Sequence, residues 1–150
     1  MKKVLLILAC GIATQLSYAQ ATPKWAEKAK KAVFSIVTYD KDNKIKNTGN
    51  GFYINENGTA LSDYTLFEGA ERAVIINADS KELPVLRILG ANSMYDIVKF
   101  NTEADKKTIA LKSASQPASV GETVYLLPYS TQKAATCQTG TVTKVDTIGD

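Results

Sequence analysis

Asp40, Asp42 and Lys44 are spaced like the odd-numbered ligands of a calcium loop, and they are the first residues of this chain that suggest ligand chemistry. The rest of the pattern fails. The sixth position is Ile45 rather than the glycine a sharp turn needs, and the twelfth is Gly51 rather than a bidentate glutamate. Residues 40–47 therefore read as a solvated hairpin loop, and no metal or other cofactor is expected. Gly49-Asn50-Gly51 has the small residues of an anion cradle but neither a third glycine nor a following helix, so it reads as close backbone packing. Nucleophilic chemistry meets a more general obstacle, because the chain contains no histidine. Imidazole is the side chain that most often accepts the proton of a serine or cysteine nucleophile. Cys137 has no such partner and reads as a buried, inert thiol in a strand over 134–139.

With 150 residues and 45% hydrophobic content, the composition is that of about one globular domain. The first 19 residues read as an export signal to be cleaved before Gln20. Lys2 and Lys3 precede an apolar run from Val4 to Ile12, and Ser17-Tyr18-Ala19 supplies the small residues read at a cleavage site. That run is too short to cross a bilayer, which takes about 20 apolar residues. The mature protein is thus expected outside the cytoplasm, periplasmic or extracellular, without a transmembrane segment. Lipid attachment at Cys10 is disfavoured by the six-residue apolar run before it, so Cys10 is expected to leave with the leader and Cys137 to stay unpaired. Without Lys2 and Lys3, sixteen basic residues face fifteen acidic ones, a net charge of +1. No nucleic-acid footprint is present. Lys24, Lys28, Lys30 and Lys31 fall on one short helix broken by Glu27 and read as a solvated face.

The elements that must position any site are mostly strands. Thr22-Pro23 ahead of Lys24-Trp25-Ala26-Glu27 predicts a short helix capped by Thr22, with Pro23 at its first position, in a lead-in over 20–31. Residues 32–39, rich in β-branched and aromatic side chains, begin the strands. Asn57-Gly58 between 52–54 and 59–61 predicts a tight hairpin through a type I′ turn. Further strands are expected at 73–77, 83–89 and 96–100, a spacing that indicates an all-β barrel or sandwich. Residues 101–118 read as a polar connector, interrupted by Ile109-Ala110-Leu111. Strands at 122–127 and 134–145 are expected around a turn at 128–132.

Six fragments, in order, resemble trypsin-like serine proteases of the HtrA/Deg type, over roughly residues 32–146. These are the opening strand 32–39, Gly49-Asn50-Gly51-Phe52, and Leu61-Ser62-Asp63-Tyr64-Thr65-Leu66-Phe67 running on through Glu68-Gly69-Ala70. They continue with residues 89–98, Ser119-Val120-Gly121-Glu122-Thr123-Val124, and Thr139-Gly140-Thr141-Val142-Thr143. The resemblance implies an antiparallel β-barrel complete over 32–103, a linker at 104–118, and the beginning of a second barrel at 119–150. It places Thr65 where that family carries its catalytic histidine and Asp96 where it carries the triad aspartate. A threonine hydroxyl is no base near neutral pH, so Asp96 has no imidazole to orient and reads as a strand-end carboxylate bonded to nearby amides or to Thr65. The family's Gly-x-Ser-Gly-Gly loop would follow Asp150, which implies a longer natural chain.

Three functions follow as expectations. The first is a proteolytically inactive domain that binds a peptide or protein partner, by strand addition for example. The second is part of a longer serine endopeptidase with a non-histidine base such as lysine. The third is an unrelated exported β-sandwich used in adhesion or assembly, which requires two packed sheets in place of a closed barrel.

Overall fold

The structure, a computed structural model, describes residues 23–103, 108–127 and 137–146. The expected leader, Cys10, Thr22 and the turn at 128–132 lie outside the described residues. Helix α1 (Lys24–Ala29) passes through a 3-10 turn (Lys30–Ala32) into strand β1 (Val33–Tyr39). Pro23 stands one position earlier than expected, at the N-cap, where its carbonyl accepts the Ala26 N–H at 2.9 Å.

Strands β2 (Ile45–Tyr53), β3 (Thr59–Ser62), β4 (Arg72–Ile76), β5 (Glu82–Asn92) and β6 (Ile97–Thr102) join β1 in a closed antiparallel barrel. Around the barrel the order is β1-β2-β3-β6-β5-β4. A single closed sheet is incompatible with the sandwich alternative. Strands β7 (Thr123–Leu126) and β8 (Gln138–Thr141) form a separate two-stranded sheet. Of the expected 134–145, residues 134–136 lie outside the described residues, and among the rest the strand covers only Gln138–Thr141. Cys137 lies just before β8 and is half-buried, so the expectation of a buried strand thiol fails because the strand starts one residue later.

Alternation along the strands sends Phe34, Ile36, Tyr53, Ala60, Ile75, Leu83, Val98 and Phe100 into one core. Phe34 lies at its centre, edge-on to Tyr53 at 4.8 Å and to Phe100 at 6.3 Å. Gly51 lets β2 pass over this ring, since an added Cβ would lie 2.6 Å from Phe34 Cε2 and 2.8 Å from the Leu61 carbonyl oxygen. Neither neighbour is the free end of a flexible chain.

Three hairpin turns share one device that differs from the type I′ turn expected at Asn57-Gly58. Asn55 Oδ1 accepts the N–H groups of Asn57 and Thr59, both at 3.0 Å, and only Gly58 is left-handed, with φ of +80°. Asp40 does the same for Asp42 and Lys44, with Asn43 left-handed, and Asn77 for Asp79 and Lys81, with Ser80 left-handed. The side-chain oxygen thus replaces the backbone bond that would have fixed a two-residue turn. Asp40, first in the failed calcium pattern, is occupied by its own turn. Because that turn closes at Lys44, Ile45 to Asn47 belong to β2 and not to the expected loop. Arg72 secures the turn from β4, donating Nε to Asn43 Oδ1 at 2.8 Å and stacking 3.6 Å over the Tyr39 ring.

Gly51→Ala is expected to destabilise the protein by about 1–3 kcal/mol through overpacking against Phe34. Gly90→Ala, with nothing within 4 Å of the added carbon, should stay within about 0.5 kcal/mol of the parent. Urea denaturation of the two variants checks the pair, and equal costs would refute the packing argument.

Candidate functional site

Thr65 lies on a 3-10 turn (Tyr64–Leu66) between β3 and β4, and four contacts hold that turn against the barrel. Asn47 on β2 donates Nδ2 to the carbonyls of Leu66 at 3.2 Å and Thr65 at 3.4 Å. Leu66 packs on Gly49, where an added Cβ would overlap its methyl carbons, and Phe67 stacks on Phe100 with ring centroids 5.2 Å apart. Gly49-Asn50-Gly51 is therefore a stretch of strand over which side chains pass closely. Asn47 itself is fixed by the fully buried Thr38, whose hydroxyl accepts its N–H at 3.1 Å and donates to its carbonyl at 3.4 Å. The sequence offered no sign of Asn47 as a positioning residue, because it fell in a stretch read as loop.

Asp96 closes the β5–β6 hairpin one residue before β6, which begins one residue later than the expected 96–100. Asn92 Oδ1 turns the chain by accepting the N–H groups of Met94 at 3.0 Å and Tyr95 at 3.1 Å. Asp96 then adopts a left-handed φ of +51°, a conformation that aspartate tolerates better than most residues. This geometry aims the carboxylate at the Thr65 turn. Asp96 Oδ1 accepts the Thr65 N–H at 2.7 Å and the Thr65 hydroxyl at 2.5 Å, and the Asp96 carbonyl accepts the Tyr64 N–H at 3.2 Å. Both residues are exposed to solvent.

Donation from the Thr65 hydroxyl, and next from its backbone amide, lowers the Asp96 pKa below the ordinary carboxylate value; desolvation opposes this weakly, and a further Tyr64 backbone bond assists it. A carboxylate so stabilised is a weaker base than a free one. The hydroxyl proton is already engaged in the bond to Asp96. Among the described residues no cation forms an ion pair with Asp96, since the pairs present are Lys30–Glu27 and Lys144–Asp146. Geometrically the pair is a latch between two loops.

Beside the latch, a groove of about 610 Å³ runs between the barrel and β7. Its walls are mainly apolar, with Phe52, Leu61, Ile97, Leu111 and Leu126 among its lining, and the exposed Asp63 also lines it. Asp63 and Ile97 are two residues and one residue from Thr65 and Asp96 respectively, so the groove reaches the latch. Among the described residues no group of three or more His, Cys, Asp or Glu side chains is arranged to hold a metal, and no helix is long and apolar enough to cross a membrane.

The closed six-strand barrel, with a second β-sheet begun beside it, is the architecture of a trypsin-like β-barrel domain. The same fold is found in a serine endoprotease from Yersinia pestis, with a TM-score of 0.67 and 16% sequence identity over 82% of this chain. At that identity the likeness is one of fold. The chain spans 46% of the length of that protein. No family model matches the sequence, and no curated protein matches it.

The latch carries a pH signature. A carboxylate with a folded-state pKa below its unfolded value of about 3.9 stabilises the fold above that pH, and its contribution is lost as pH falls through the lowered value. Asp96→Asn keeps an acceptor but does not titrate. Its melting temperature is expected to fall below that of the parent by a constant gap above about pH 5, and the gap should shrink as pH drops below about 4. A gap independent of pH would show that Asp96 is not ionised in this bond.

Proposed function

We propose that this protein is an exported, HtrA/Deg-like domain that does not cleave peptide bonds and instead binds an extended peptide or a protein partner. The Thr65–Asp96 hydrogen bond carries this reading. At the position where the resemblance calls for an imidazole, a hydroxyl donates to the aspartate. In a serine protease the imidazole takes the proton of the nucleophile and the aspartate holds it in the correct tautomer. Loss of that base alone lowers turnover by about a million-fold in a comparable triad. The sequence holds no histidine to stand in, and the lowered pKa of Asp96 makes it a weaker base than a free carboxylate.

Binding needs neither group. The apolar groove beside the latch offers room for side chains of an extended segment, and β7, which among the described residues pairs only with β8, offers a strand edge for addition. Export is supported by the Lys2-Lys3 start, the apolar run and Ser17-Tyr18-Ala19, which together form a secretory leader. A peptide bound outside the cytoplasm, in a cleft that does not cut it, is the function these features favour together.

The test is covalent labelling of the purified full-length protein with a fluorophosphonate probe, alongside incubation with unfolded casein. Neither an adduct nor cleavage is expected. Labelling abolished by changing a serine would establish a nucleophile served by another base and would overturn this reading.

A further inference from the structure

We propose that helix α1 is a strap that ties the β7–β8 hairpin to the first barrel through the contact of Trp25 with Tyr125. The helix is anchored at its barrel end. It runs through the 3-10 turn into β1, and both Ala26 and Ala32 are fully buried. The β7–β8 sheet has no such anchorage, because among the described residues β7 pairs only with β8 and neither strand joins the barrel sheet. Among the described residues no β-ladder therefore ties the hairpin to the barrel.

Trp25 bridges this gap. It is the chain's single tryptophan and is 52% exposed, a costly position for a large apolar ring. Its ring meets that of Tyr125 edge-on, with centroids 5.0 Å apart and planes at 89°, the arrangement aromatic quadrupoles favour. Tyr125 and Leu126 on β7 and Val33 at the start of β1 all line the apolar groove. The strap thus lies at the end of the groove where helix becomes strand, and it fixes how far β7 stands from Phe52 and Ile97. Releasing it would loosen one wall of the groove and leave the barrel intact. This inference concerns the groove's geometry and does not depend on the reading of Thr65.

Hydrogen exchange read by mass spectrometry on the whole chain tests the strap. Trp25→Ala is expected to speed exchange of amides in β7 and β8 by about two- to tenfold, the value of one edge-to-face aromatic pair. Exchange in β1 and β6 should be unchanged. Tyr125→Ala should have the same effect, the double variant should add little, and Trp25→Phe should keep most of the protection. Unchanged exchange in β7 and β8, or equal acceleration in β1 and β6, would overturn the proposal. The first result would mean that something else holds the hairpin, and the second that the helix supports the barrel itself.

Discussion

The Asp96 carboxylate joins the two loops that extend the paired strands β3 and β6, and the character of the site depends on that joint. One oxygen receives both the amide and the hydroxyl of Thr65, while the Asp96 carbonyl receives the amide of Tyr64. These bonds tie the tip of the β5–β6 hairpin to the turn after β3, across the side of the barrel where the groove opens. The barrel supplies the precision. Gly49 and Gly51 let side chains cross β2 without a methylene in the way, and Thr38 and Asn47 hold the Thr65 turn from behind.

Such a joint fixes the two loops relative to each other, because the hydroxyl–carboxylate pair is matched donor to acceptor. Around the joint lies a cleft between a complete barrel and a second sheet, apolar in its lining. A strap that sets the distance between the two sides belongs with this picture, since it would set the width of that cleft.

Much of the scaffold was legible in the sequence because it rests on local patterns. β-Branched runs marked β1, β4 and β6 to within a residue or two, and the order of six short fragments indicated a closed barrel before any pairing was known. Thr65 and Asp96 could be singled out only through the resemblance; their hydrogen bond follows from two backbone conformations, a 3-10 turn and a left-handed Asp96, that no local pattern specifies. Asn47 was invisible for a related reason, as its role is fixed by a turn 18 residues away. The Asn57-Gly58 turn was misassigned because Asn55 Oδ1 competes for the amides that would have closed a type I′ turn. Three stretches of similar sequence, beginning at Asp40, Asn55 and Asn77, carried that signal together. The far end of β5 was missed because Gly90-Ala91-Asn92 has no strand propensity of its own and extends only by pairing with β6.

The central claim is that Asp96 faces position 65 as an ionised carboxylate that accepts the Thr65 hydroxyl and amide. Replacing Thr65 with histidine in this otherwise histidine-free chain provides a single reporter, and its titration can be followed by NMR without assignment. The claim predicts a histidine pKa above its ordinary value of about 6.5, because a neighbouring carboxylate favours the protonated ring. An introduced histidine that titrates at its ordinary value in a folded protein would show that Asp96 does not face that position, and would contradict the account.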